Sequence, residues 1–324
     1  MRNRDAADDS NLTQLPPEFV ERMKLVVAPD QLDAFLVSFE QSRRPAVRFN
    51  PLGQQPLPDI PSRVPVSWSD HSFAISQEDR DQLVGLPQAE QGSFYLQSLS
   101  SQLAAIILDP QPGEQVLDLA AAPGGKAAHL AALMNNDGLL SCVEPIRKRF
   151  FRLQANLKAQ GVTIAKYYMT DGRTVGKKVG PRFDRVMLDA PCSGEARFSL
   201  ADPESFTTWR PRKIRETSRK QIGLIQSAFE SLRPGGRMLY STCSFAPEEN
   251  EGVVSRLLEV TEDAATILPI RIDGKSLAEH QVPAVSGLTQ FDDREFHPTV
   301  AQTQRIMPSD LYDGFYLALI KKQA

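Results

Sequence analysis

The chain is predicted to fold as an α/β protein built on a mostly parallel, doubly wound sheet. Three observations carry that expectation. From residue 94 onward, short apolar runs alternate with segments of helical spacing. One stretch, EQVLDLAAAPGGKAAHL at 114–130, reads as a strand feeding a small-residue turn and a helix. The apolar runs also end repeatedly on a polar residue: Asp118, Glu144, Asp171, Asp189 and Cys243. Open sheets of this kind bind ligands outside the carboxyl ends of their strands.

Length and composition set the frame. The 324 residues, 41% of them hydrophobic, can enclose one sizeable core and a smaller unit. Three cysteines exclude a disulfide scaffold and suit a reducing compartment, so a cytoplasmic location is expected. The opening MRNRDAADDSN carries no apolar run, so no signal peptide is expected. No segment approaches the roughly 18 apolar residues of a membrane span, so no membrane partner is expected either. The net charge of -3 conceals local clustering. Basic residues crowd 147–182 and 210–220, while acids concentrate after 244. A basic face coexists with a mildly acidic whole.

The elements follow in order. Residues 1–12 are expected to be disordered. Two short helices are predicted within 16–40, broken at Pro29. Val47 and Phe49 suggest a strand flanked by Arg44 and Arg48. Proline resists regular structure over 51–65. Scattered aromatics and a strand near 72–75 complete a small α+β accessory domain, 1–90, ahead of a main domain at 91–324. There an extended piece at 94–96 precedes a helix over 98–108, stopped by Pro110, Pro112 and Gly113. After the strand at 116–119 come a helix over 127–134, the strand LLSCV, a helix over 146–159, and the strands VTIAKYYM and FDRVMLD. A polar excursion is expected over 195–218, then a helix over 219–232, the strand RMLYSTC and a helix over 250–260. Residues 271–304 are poorly patterned, and RIMP with GFYLALI suggests a terminal hairpin.

The chemistry concentrates at the strand ends. Ala120, Ala121, Ala122, Pro123, Gly124, Gly125 and Lys126 form a turn whose small side chains leave backbone open to a ligand. It is neither GxGxxG nor GxxxxGK[ST], because Ala127 follows Lys126. Glu144 suits ribose hydroxyls, or else caps the next helix. Asp171 suits an adenine amino group, or else an Asx turn with Gly172. Asp189 and Cys192 lie three apart in DAPCSG, and Cys243 follows in YSTCSF. The fourth and fifth strands are expected to be neighbours, so both thiols face one cleft. The four histidines form no zinc-ligand pattern, and no metal is expected. Cys142, inside a strand, reads as an inert core thiol.

A thiol, an acid and a nucleoside cofactor suit covalent catalysis on cytosine. Thiolate addition to C6 makes C5 nucleophilic toward a sulfonium methyl, and an acid near N3 stabilises the adduct. Spacing does not choose which thiol attacks. Trp209 and the six basic residues of 210–220 suit base stacking and phosphate contact, or else a solvated helix start.

AAAPGGK at 120–126, DAPCSG at 189–194, YSTCS at 240–244 and DGFY at 313–316 together resemble the RNA 5-methylcytosine methyltransferase family, the Nol1/Nop2/Sun group. The likeness spans about 44–320 and includes GSFYLQSLSS at 92–101. Within the group it is similar to the catalytic part of bacterial RsmF-type ribosomal RNA enzymes. The resemblance implies a class I S-adenosylmethionine-dependent methyltransferase fold, Rossmann-like, with a mostly parallel seven-stranded sheet. It also implies S-adenosylmethionine as cofactor, with the 120–126 turn around its methionine end, Glu144 on the ribose and Asp171 on the adenine side. Asp189 would then lie between cofactor and cytosine, Cys243 would attack C6, Cys192 would assist release, and Lys126 would orient the base. Ribosomal 16S RNA is the expected substrate. Transfer RNA and a non-catalytic assembly role are the alternatives. With the sequence ending at Ala324, further RNA contact is expected from Arg43, Arg44 and Arg48, and a monomer is expected.

Overall fold

The computed structural model describes residues 14–53 and 58–324, so the stretch read as disordered, 1–12, lies outside them. Two helices open the described chain, α1 (Pro17–Val26) and α2 (Leu32–Val37). Then follow β1 (Ala46–Phe49), β2 (Val64–Val66), β3 (Ser69–Ala74), α3 (Gln77–Val84), α4 (Pro87–Glu90) and β4 (Phe94–Leu96). These strands form an antiparallel sheet in the order β2-β3-β1-β4, so its fourth strand comes from beyond residue 90. Val47, Phe49, Ile60, Ile75, Leu83 and Phe94 fill its core. The pattern of the sequence does not reveal α3 because only Leu83 is buried along it, which leaves no apolar stripe.

The main body runs α5 (Leu99–Leu108), β5 (Gln115–Asp118), α6 (Gly125–Leu133), β6 (Leu139–Val143), α7 (Arg147–Ala159), β7 (Ala165–Tyr168), α8 (Val175–Val179) and β8 (Phe183–Asp189). It continues with α9 (Glu204–Thr207), α10 (Pro211–Ser231), β9 (Leu232–Thr242), α11 (Glu251–Thr261), β10 (Ala265–Leu268) and β11 (Ala284–Ser286). A small hairpin, β12 (Gln290–Phe291) and β13 (Arg294–Glu295), precedes β14 (Gln304–Ile306) and β15 (Phe315–Lys322). β7, β6, β5, β8 and β9 pair in that order, all parallel. β15 then enters antiparallel beside β9, and β10 and β14 share its far edge. β11 extends β14, which makes nine strands in this sheet among the described residues. The apolar run FYLALI is central rather than peripheral, because a strand flanked on both edges and both faces must be apolar throughout.

Helices cover both faces of the sheet. On one, Leu103 and Leu108 of α5, Leu130 of α6 and Leu153 of α7 pack together. On the other, Leu224 and Ile225 of α10 meet Val253 and Leu257 of α11. The helix expected over 219–232 starts earlier, with Pro211 in its first turn, where a missing N–H costs nothing. Its opening turns bury only Ile214 before Gln221, so no hydrophobic period marks them in the sequence.

Two expectations about RNA contact are corrected. Trp209 is only 5% exposed, and its indole Nε1 donates to Glu195 at 2.9 Å. Its ring packs edge-on against Phe19 of α1, with centroids 5.8 Å apart, and near Phe198. It therefore joins the N-terminal helices to the loop after β8 and offers no face to a base. Arg48 is 1% exposed and donates to the Gly125 carbonyl at 3.4 Å, beneath α6. Arg43 is spent on Asp313 at 3.1 Å and on the Ala196 carbonyl at 3.2 Å. Of the three N-terminal arginines, Arg44 alone is exposed.

If Trp209 is a packing residue, Trp209→Ala lowers the unfolding free energy by about 3–5 kcal/mol, the range for large aromatic truncations in cores. Urea denaturation followed by circular dichroism measures this. A stability unchanged within error would contradict the assignment.

Candidate active site

The turn after β5 is pinned from behind. The Ala121 amide donates to the Val143 carbonyl at 3.0 Å, and Arg149 of α7 donates to the Ala122 carbonyl at 2.8 Å. Gly124 has φ +113°, a conformation that side chains rarely adopt. A Cβ on Gly125 would stand 2.7 Å from the Tyr95 ring, so only glycine fits there. Asp118, at the tip of β5, is buried and accepts the Ala120 amide at 3.3 Å.

Along the strand tips, Glu144 is 1% exposed. One oxygen accepts the Ile146 amide at 2.9 Å, and the other lies 3.5 Å from Arg149. The local capping bond is therefore present, and Glu144 also lines the cleft. Asp171 makes its Asx-type bond to the Arg173 amide at 2.9 Å and also grips the Arg173 guanidinium, with Nη2 at 2.6 Å. That ion pair and bond hold its carboxyl below the ordinary range. A cleft of about 1020 Å³ runs along these tips. Every residue expected to serve catalysis or hold the cofactor borders it except Gly124, which lies behind the turn with Leu153 as its neighbour.

The reactive end of the cleft sits on β8 and β9. Their parallel register sets Asp189 beside Ser241, so the loops that follow leave the sheet side by side. Cys192 Sγ and Cys243 Sγ are 3.3 Å apart. Asp189 accepts the Ser241 hydroxyl at 2.9 Å and pairs with Lys126 Nζ at 2.8 Å. Lys126 also donates to Ser101 at 2.6 Å and lies 5.5 Å from the Phe315 ring centroid. The two thiols are electrostatically unequal. The hydrogen bond from Cys192, with Arg197 and Lys126 nearby, lowers Cys243. That same bond and burial push Cys192 well up, so it keeps its proton. Cys142 is fully buried in β6, and burial raises it too.

Sequence reasoning missed Ser101, Ser241 and Arg197. Arg197 lies on the same loop as Cys192, five residues on, and its charge faces Cys243. Nothing local marks Ser101, which reaches Lys126 from α5 across 25 positions.

The residues fit a nucleoside cofactor that carries a positive charge. A buried carboxylate, Glu144, stands where a diol would bind, and small side chains keep the turn open. Asp118 is pushed up to about 7, first by burial and then by Asp189 and Glu144, an environment that a cation would relieve. Unfolded, such a carboxyl titrates near 4. Between about pH 4 and 7 the folded state therefore binds the extra proton, and stability falls as pH rises through that window. For the protein without cofactor, Asp118→Asn should shrink the drop in thermal midpoint between pH 6 and pH 8. An identical drop in both proteins would show that Asp118 is not its source.

A family model described as "16S rRNA methyltransferase RsmB/F" matches residues 105–321. Ribosomal RNA small subunit methyltransferase F of Escherichia coli (strain SMS-3-5 / SECEC) is 37% identical over 268 residues, covering 79% of this chain and 56% of that protein. The chain thus spans about half the length of the relatives it matches. Among solved structures, a methyltransferase homolog from Pyrococcus horikoshii superposes with a TM-score of 0.78 at 26% identity, covering 97% of this chain and 99% of that one. NSun6 from Pyrococcus horikoshii with SFG gives 0.72 at 21% identity, covering 97% and 100%, a likeness of fold. The architecture is that of a class I, Rossmann-like S-adenosylmethionine-dependent methyltransferase with an added N-terminal α+β subdomain. With the match running from α5 to β15 and through both thiol loops, the chain belongs to the 16S rRNA methyltransferase RsmB/F family.

Proposed function

We propose that the protein methylates C5 of cytosine in RNA, with small-subunit ribosomal RNA as its substrate, through a covalent bond between Cys243 and C6. The observation that carries this reading is the pair of thiols 3.3 Å apart beside the Lys126–Asp189 ion pair. Two unequal thiols match a reaction that needs one nucleophile and one group that handles a proton. The matching family model and the Escherichia coli relative are described as ribosomal RNA methyltransferases, which supports that substrate.

S-Adenosylmethionine, when bound, supplies an electrophilic methyl group. Glu144 would hold its ribose, the backbone of 120–125 its methionine end, and Asp171 with Arg173 would border its adenine. Cys243, favoured as thiolate by Arg197 and Lys126, adds to C6. The S–C6 bond forms as the C5–C6 π pair shifts to C5, which would then take the methyl, the S–CH3 bonding pair staying on the donor sulfur. Lys126 and Asp189 share a proton toward N3 and neutralise the charge that gathers there. Once Cys243 is bonded to C6 it no longer accepts the Cys192 hydrogen bond; Cys192 then gives its own proton to solvent and, as thiolate, removes the C5 proton, the C5–C6 double bond re-forms, and Cys243 leaves as thiolate. Ser241 and Ser101 keep the Asp189 and Lys126 heads in place throughout.

Exposed Arg215 and Arg219 on α10, with Lys220 at the cleft, would meet RNA phosphates. This keeps the basic stretch 210–220 as the RNA surface, without Trp209.

Cys192→Ala should accumulate a protein–RNA adduct that survives denaturing electrophoresis when given S-adenosylmethionine and small-subunit RNA. Cys243→Ala should form none and lose about 10³-fold or more in turnover. Full activity of Cys243→Ala, or an adduct in the double variant, would overturn the assignment. Replacing Arg215 and Arg219 together by Glu should weaken RNA binding and reduce the slope of log affinity against log salt by about 2. An unchanged slope would place the RNA elsewhere.

A further inference from the structure

Behind the thiols, out of contact with the cleft, lie two carboxylates with no solvent exposure, Glu195 and Glu249. Each cysteine is followed by a serine, and those serines meet: Ser193 Oγ and Ser244 Oγ are 2.9 Å apart. Their other partners cross over. Glu249, on the loop of Cys243, accepts the Ser193 amide at 2.9 Å and the Ser193 hydroxyl at 2.5 Å. Glu195, on the loop of Cys192, accepts the Ser244 hydroxyl at 3.0 Å and the Phe245 amide at 2.9 Å. Each carboxylate therefore holds the loop that carries the other's thiol. Both are anchored from outside, Glu195 by Trp209 and Glu249 by Thr217 of α10. Gln221 of α10 adds a bond to the Pro191 carbonyl at 2.9 Å.

We propose that Glu195 and Glu249 are positioning residues that form a crossed clamp and set the separation of the two thiols. Glu195 places Cys243 for attack, and Glu249 places Cys192 for removal of the C5 proton. The kinetic part of this assignment rests on the function proposed above; the geometric part does not.

Ordinary packing would not produce this arrangement. Burying a carboxylate is unfavourable unless its oxygens are matched by donors, and these two gather seven donor groups from four segments: the two cysteine loops, Trp209 and α10. Burial and the nearby Glu249 charge push Glu195 up to about 7, so the pair is held against mutual repulsion. A glutamine in place of either would turn one acceptor into a donor facing an N–H or O–H. The thiols would then drift from the 3.3 Å contact that favours the Cys243 thiolate, whose other charged neighbours are Arg197, Asp189 and Lys126.

The test has two readouts on Glu195→Gln and Glu249→Gln, with Ser193→Ala and Ser244→Ala as milder cuts in the same clamp should a glutamine variant fail to fold. The first needs no RNA: the pH dependence of Cys243 alkylation by iodoacetamide, located by peptide mass spectrometry. The clamp requires its midpoint to rise in the variants toward the roughly 8.5 of a free thiol. The second is single turnover with S-adenosylmethionine and unmodified small-subunit RNA. Glu195→Gln, combined with Cys192→Ala, should form adduct about tenfold more slowly than Cys192→Ala alone. Glu249→Gln alone should accumulate adduct above the wild-type level, with cofactor affinity unchanged in both. A folded set of variants with the wild-type alkylation profile would overturn the clamp. Equal loss of adduct formation and release in both glutamine variants would overturn the division of labour. A shifted profile in a protein whose Cys192→Ala form traps no RNA would instead uphold the clamp and refute the methylation reading.

Discussion

The site depends on one register: the parallel pairing that sets Asp189 of β8 level with Ser241 of β9. Because these strands run in the same direction, their carboxyl ends lie at the same edge and their loops emerge together. Cys192 and Cys243, 51 positions apart in sequence, thereby come within a hydrogen bond of each other. Shifting that register by one residue would turn Ser241 away from Asp189 and carry the second thiol to the opposite face. The glycine turn, the carboxylates of β5 and β6 and the Lys126–Asp189 pair are all referred to this edge.

Much of this was legible in the sequence, and the reason is local. A strand end, a tight turn and a reactive side chain within six residues, as in DAPCSG, leave little freedom in where the side chain points. The residues that escaped notice act across the fold. Ser101, Arg197 and Glu195 carry no periodic or compositional signature that separates them from any other polar residue. Glu249 reads in sequence as one of two acids before a helix, which describes its neighbour Glu248 well: that one pairs with Arg22. Trp209 and Arg48 illustrate the opposite error. An aromatic among arginines has the same pattern whether it stacks on a base or fills a core, and a basic residue in a strand reads as exposed until a helix covers it. Burial is decided by what packs against a residue, which composition does not record.

The N-terminal helices belong energetically to the loops after β8 and β9 rather than to the small sheet that follows them. Phe19 and Phe39 pack with Phe198 and Trp209, while Phe35 meets Phe245 just beyond Cys243. Arg43 then bridges to Asp313 and Ala196. The loop after β8 would be a long polar excursion without these contacts. With them, the segment that carries Cys192, Glu195 and Arg197 has a second wall, and aromatic burial holds charged groups in fixed positions.

The position of β15 orders events during synthesis. Among the described strands it is made last, yet it lies between β9 on one edge and β10 and β14 on the other. Until residues 315–322 have emerged, β9 has no neighbour on its outer side, β10 has no strand partner among the described residues, and β14 has only β11. The tip that carries Cys243, and the Phe315 ring beside Lys126, are completed in the same late step. Between the synthesis of Cys243 and that of β15, the nascent chain therefore holds this thiol at an unfinished edge. Assembly order thus separates the making of the thiol from the completion of its surroundings.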